Sequence, residues 1–231
     1  MSSPPFPDDA TGSEKKYRLT FNKLGRAGFL SHLELSAALV RALRRSSIAL
    51  AYSIGYHPHP KISFAIATSV GMESRQEYMD ITAQEYLSDL DLLKAEINSA
   101  LPLGIEILEI RKLSLEEKAI AQMLQGFEFE LHLPAGIDSP RLNAIEENIK
   151  NFLAASTFSI QKSTKGKSVT KDIRPFIQSM VLDATNKKVK FTVNYTPTGS
   201  ARPTDIIAHV LKSDANESRQ IKVIKTKTLL S

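Results

Sequence analysis

A chain of 231 residues that is 42% apolar and 24% charged has the composition of a folded protein. Cysteine is absent, which excludes disulfides, thiolate nucleophiles, Cys-ligated zinc and Cys-held iron–sulfur clusters. The net charge of +5 hides blocks: residues 15–61 carry nine Lys/Arg against the single acid Glu34, residues 62–139 carry five against fourteen, and residues 140–231 carry sixteen against seven. Two basic blocks around an acidic middle form a footprint for a polyanion, most often nucleic acid.

Residues 1–14 are polar and acidic and lack the apolar stretch of a secretory signal, and no apolar run approaches the roughly 18 residues of a membrane span. They read as a disordered tail on a cytoplasmic protein. Tyr17, Leu19 and Phe21 alternate with Arg18 and Thr20, which predicts a strand. Ser31 with Glu34 forms a capping box that opens a helix with the stripe Leu35, Ala38, Leu39, Ala42 and Leu43. Ile62, Phe64, Ile66 and Thr68 predict a second strand and residues 78–83 a third. Ser88 is read as the cap of a helix with Leu90, Leu93, Ile97 and Leu101 inward, and Ile105, Ile107 and Ile110 suggest a fourth strand. The order is βαββαβ, the ferredoxin-like unit.

Ser114 and Glu117 read as another capping box, starting a helical connector over residues 114–125. The order then repeats. Phe127, Phe129, Leu131 and Leu133 alternate; Ser139-Pro140 opens a helix; residues 158–161 and 176–182 look like strand pieces around a basic loop; residues 188–195 form a strand. A helix follows Pro203, and residues 221–229 close the unit. The expected fold is therefore α+β, two tandem ferredoxin-like domains over residues 15–113 and 126–231, following the tail of residues 1–14.

The segment Ser53-Ile54-Gly55-Tyr56-His57-Pro58-His59-Pro60-Lys61 is the most unusual. Its prolines stiffen the loop. His57 and His59 can serve as acid and base with Lys61 facing a phosphate, the logic of a metal-free ribonuclease. They can equally supply two ligands of a metal that lacks an obvious third, or simply brace a strand connection. The Lys23–Gly28 loop has two glycines and two bases before a helix start, a place where an anion is favoured, and His32 can face the same anion. Arg44 and Arg45 end the first helix. Lys165, Lys167, Lys171 and Arg174 make a basic loop suited to a phosphate backbone. No Ser/His/Asp triad or paired-carboxylate spacing stands out.

Several stretches together carry a resemblance: residues 17–23, Gly25-Arg26-Ala27-Gly28-Phe29-Leu30-Ser31-His32, Arg41-Ala42-Leu43-Arg44-Arg45, residues 51–65, Gly71-Met72-Glu73-Ser74 and Glu77-Tyr78-Met79-Asp80, with Lys171-Asp172-Ile173-Arg174-Pro175 as a second signature. The chain resembles the radical-SAM-linked protein family, a bacterial domain of unknown function found alone or fused behind a radical SAM enzyme with a cobalamin-type domain. The resemblance implies a radical SAM enzyme as partner and an RNA context. It does not make this chain the radical enzyme, because that chemistry needs a cluster held by three cysteines. The architecture is also distantly similar to that of CRISPR repeat-processing endoribonucleases, although Thr196–Ser200 is a poor match for their glycine-rich loop.

The expectation is an accessory module without catalysis or cofactor of its own, presenting RNA to a separate radical SAM enzyme. Lys23, Arg26, Arg44, Arg45 and Lys61 meet phosphates, with Lys165, Lys167, Lys171 and Arg174 extending the track, while His32, Tyr56, His57 and His59 recognise a base or shape the loop. The alternatives are a metal-free endoribonuclease using His57, His59 and Lys61, and a protein-interaction module that binds no nucleic acid.

Overall fold

Strict alternation in the first strand separates two environments. In a computed structural model, which describes residues 14–66, 68–114, 116–164 and 167–231 and the side chains of all of these but 163, 164 and 167, β1 (Lys15–Lys23) buries Tyr17, Leu19 and Phe21 on one face. The fold is mixed α+β. The chain divides into two units, one holding the residues up to Val70 with Gln76–Met123, the other Gly71–Arg75 with Leu124–Ser231.

In the first unit, α1 (His32–Arg45) follows β1, then β2 (Ile62–Phe64), β3 (Met72–Ala83, whose residues from Gln76 on belong to this unit), α2 (Leu90–Ala100) and β4 (Ile105–Lys112). β4 pairs antiparallel with β1 and β2 antiparallel with β3, in the strand order β4-β1-β3-β2. Leu35, Ala38, Leu39, Ala42 and Leu43 of α1 and Leu93 and Ile97 of α2 pack with Tyr17, Leu19, Phe21, Met79, Ile81, Ile105 and Ile107 into one core. Burying each such large side chain contributes about 1.5–3 kcal/mol before the cost of chain ordering. The Ser31–Glu34 capping box is present at α1. The cap of α2 is Asp89, not Ser88: its carboxylate accepts from Leu92 N at 2.8 Å.

The other face of this sheet carries a buried ion pair. Arg18, 1% exposed, donates through Nε and Nη2 to the two Asp80 oxygens at 2.7 and 3.0 Å. Arg18 also donates to the Lys118 carbonyl, and Asp80 accepts from Ile120 N, each at 3.0 Å. These bonds strap the segment after β4 to the sheet. The Ser114–Glu117 pair is therefore not a helix cap. Glu117 grips Arg111 and approaches Arg18 at 3.4 Å, and helix α3 covers only Ile120–Met123.

The second unit contains β5 (Leu124–His132), α4 (Ser139–Ala154), β6 (Ser159–Thr164), β7 (Lys167–Asp172), β8 (Ile177–Asp183), β9 (Lys188–Asn194), α5 (Pro203–Asp205), α6 (Ala215–Gln220) and β10 (Lys222–Leu230). Its strand order is β10-β5-β9-β8, and Met72–Ser74 at the start of β3 lie parallel to β10. Phe127, Phe129, Leu131, Val189, Phe191 and Val193 form a core with Ile145, Ile149 and Phe152 of α4. Asp138 rather than Ser139 caps α4, accepting from Arg141 N at 2.9 Å. Beyond α5 the helix continues as a π turn over Ile206–Val210.

Residues 158–161 are not a piece of the main sheet. They enter β6, which pairs with β7 as a separate two-stranded ribbon. Register explains it: Asp172 is bound through Oδ1 to Phe158 N at 2.8 Å and to Arg174 N at 3.0 Å. This closes the ribbon before Pro175 turns the chain into β8.

Candidate nucleic-acid interface

The segment between α1 and β2 folds as a narrow hairpin anchored to the end of β3. Ala51 N donates to Thr82 O, Gln84 N to Ala49 O and Thr82 N to Lys61 O, at 2.8–3.0 Å. The two arms close through Ser53 N to His59 O and Lys61 N to Ala51 O, both 2.8 Å, and through His59 N to Ser53 Oγ at 3.0 Å. The proline spacing fits this pattern. Pro58 and Pro60 have no N–H, and the intervening donors, His59 and Lys61, make the bonds. Gly55 sits at the tip with φ +147°, a region that favours glycine.

The closed backbone pushes side chains outward. Ile54 and Tyr56 are fully exposed, and His57 and His59 are exposed. Tyr56 and His57 meet edge to face, their ring centroids 4.8 Å apart. Arg44 lies over the Tyr52 ring at 5.9 Å, which brings the C-terminal end of α1 beside the hairpin base. Arg26, Arg41, Arg44 and Arg45 are exposed and make no ion pair among the described residues. From Leu35 to Met72 the chain contains no Asp or Glu, so no acid within that stretch neutralises them. Arg41 and Tyr52 are not among the site residues expected from the sequence. The i, i+3 and i, i+4 spacing of Arg41 to Arg44 and Arg45 was the available signal.

Two expectations in this unit fail. Lys23 is fully buried and donates to the Gly28 carbonyl at 3.4 Å, so no phosphate reaches it. The Lys23–Gly28 loop is no anion cradle either. It forms a 3-10 turn over Gly25–Phe29 with Leu24 N bonded to Gly104 O at 2.7 Å, and Glu34 already occupies the helix start. The Ser31 N–H holds the Glu34 carboxyl below its usual range. His32 is exposed but turns its ring edge to Phe64 at 5.3 Å.

The profile of an uncharacterized protein family conserved in bacteria (DUF2344) matches residues 16–203. The chain belongs to this family. No curated protein matches the chain. The family match covers β1 through Pro203 and so spans both the hairpin at residues 49–61 and the β6–β7 ribbon.

The second basic set lies on that ribbon and the turn after it. Lys165 lies outside the described residues, as does the side chain of Lys167. The others are drawn inward. Lys171 Nζ donates to Ser200 O at 2.7 Å and lies 4.7 Å over the Phe176 ring; burial and the nearby Lys162 charge lower its pKa. Arg174 donates to Leu153 O and Ile177 O at 3.0 and 2.9 Å and stacks over Phe152. These two hold the ribbon against its own unit, because buried carbonyls need donors, and they do not extend a phosphate track. Among the described residues no group of three or more His, Asp or Glu side chains is placed to hold a metal, and no helix is long and apolar enough to cross a membrane.

Proposed function

We infer that this chain is an RNA-binding accessory module of two ferredoxin-like units that acts in the cytoplasm beside a separate radical SAM enzyme. The observation that carries the RNA reading is the face made by the end of α1 and the hairpin. There, Arg44, exposed and without an ion pair among the described residues, lies over Tyr52 at the base of a hairpin whose Tyr56, His57 and His59 are exposed. Arginine and lysine supply phosphate contacts and the salt-sensitive part of affinity; exposed rings offer stacking surfaces for unpaired bases. The strand order β4-β1-β3-β2, repeated as β10-β5-β9-β8, supports the tandem assignment. The radical SAM partner rests on the resemblance described above and on the absence of cysteine.

The test is the affinity of the purified chain for labelled tRNA and rRNA fragments across a salt series, beside the Arg44→Glu/Arg45→Glu variant. Salt-sensitive binding that the variant loses supports the reading, with the slope of log K against log salt falling by about 0.7 per lost contact on single strands. Equal binding by both proteins, or none by either at low salt, overturns it. Site-specific cleavage of end-labelled RNA in EDTA that His57→Ala or His59→Ala removes would replace the accessory role by an endoribonuclease.

A further inference from the structure

A cavity of about 260 Å³ opens beside the hairpin in the first unit, lined by Lys16, Lys61, Ser63, Asp80, Thr82 and Glu117 among others. Its two carboxylates are already matched: Asp80 is bound by Arg18, and Glu117 by Arg111. The two lysines are therefore the charges that the cavity's own carboxylates leave unmatched. Lys16 makes no ion pair among the described residues. Lys61 does, and its partner is informative. Its Nζ holds both oxygens of Glu14, at 2.7 and 2.9 Å. Glu14 lies just before β1, and Lys61 at the end of the hairpin, so the contact joins residues 47 apart in sequence. It is solvent-accessible, with the two side chains 39% and 37% exposed, so an external anion can compete for it.

We propose that Lys61 and Lys16 form an oxyanion site for a phosphate group, and that Glu14 is its internal occupant, a carboxylate displaced when phosphate binds. Ser63 and Thr82 line the same cavity, and a hydroxyl can donate to a phosphate oxygen. The site deepens the RNA reading and rests on it, naming a specific phosphate position and a built-in competitor. Exposed ion pairs are weak, so the competition tunes affinity and does not abolish binding.

The test compares wild type, Glu14→Gln, Lys61→Gln and the double variant. With a labelled RNA oligonucleotide, Glu14→Gln binds about two- to fivefold more tightly than wild type, and Lys61→Gln in the double variant erases that gain. With inorganic phosphate, followed by the NMR signal of the Lys61 ammonium, Glu14→Gln shifts at lower phosphate concentration than wild type. Unchanged RNA and phosphate responses in Glu14→Gln overturn the internal-occupant proposal while leaving RNA binding through Arg44 and Arg45 intact. A phosphate response that Glu14→Gln strengthens, with no variant binding RNA, upholds the oxyanion site and assigns it to free phosphate, and the RNA reading falls alone.

Discussion

Both units insert a segment between their first helix and second strand, and the cations that flank the first insertion and those within the second are spent in opposite ways. Residues 46–61 close backbone to backbone and turn Tyr56, His57 and His59 outward, while Tyr52 at their base meets Arg44, which makes no ion pair among the described residues. The β6–β7 ribbon and the turn after it have described cations that turn inward: Lys162 to Asp205, Lys171 to Ser200 O, Arg174 to Leu153 O and Ile177 O. Positive charge in sequence thus becomes surface in one unit and internal fastening in the other. What decides is whether the neighbouring backbone has satisfied its own carbonyls. Where it has, the side chain is left for solvent or a ligand.

The comparison can be broken most severely at the first unit's own fastening. Asp80→Ala leaves the buried Arg18 guanidinium without its main partner and should cost about 3–5 kcal/mol, read as a lowered urea midpoint. Next comes the second unit. Arg174→Ala strips donors from two carbonyls and a cation from the Phe152 ring, so about 2–3 kcal/mol should be lost, with RNA affinity unchanged at temperatures where the protein stays folded. The buried Arg174 Nε lacks an acceptor among the described residues, which keeps the figure from being larger. Arg44→Glu/Arg45→Glu should do the reverse: most RNA affinity gone, with a stability loss of only about 1–2 kcal/mol from the helix end and the Tyr52 ring. If Arg174→Ala weakens RNA binding as much as the Arg44/Arg45 reversal, the division between surface and fastening charges is wrong.

Much of the framework was legible because its signals are local. The alternation of Tyr17, Leu19 and Phe21, the Ser31–Glu34 box and the stripe of α1 each lie within one element and appear as read. The errors share a cause. Lys23, Lys171 and Arg174 look like surface cations in sequence, and only the tertiary positions of Gly28 O, Ser200 O and Leu153 O reveal them as internal donors. Glu117 looked like a cap because the capping pattern matches over three residues. Its stronger partners, Arg111 and Arg18, sit 6 and 99 residues away. In the candidate site, the proline-spaced histidine hairpin was visible from its composition. The Arg44–Tyr52 stack and the Glu14–Lys61 pair were not, since both need the chain to return on itself.

The smallest effect is a pH dependence that separates the units' carboxylates. Hydrogen bonding from Arg111 holds Glu117 below the usual carboxylate range. Burial pushes Glu130 up, but its hydrogen bond with His132 and the charges of Lys188 and Arg75 outweigh this, so its net shift is also downward. A carboxyl whose pKa is lower folded than unfolded contributes stability that is fully present above the ordinary value of about 4.3 and is lost as pH falls through the folded value. Glu117→Gln and Glu130→Gln should therefore each be less stable than wild type at pH 7, by up to about 1 kcal/mol. Each difference should shrink toward zero as the pH approaches about 2, where wild type is protonated too. Monitored by tryptophan-independent probes such as far-UV dichroism, since the chain has no Trp, a difference that persists undiminished at low pH would mean that the glutamines disturb packing rather than remove charge. Glu130 would then be a spacer in the sheet and not the electrostatic centre of Arg75, Lys188 and Lys190 around it.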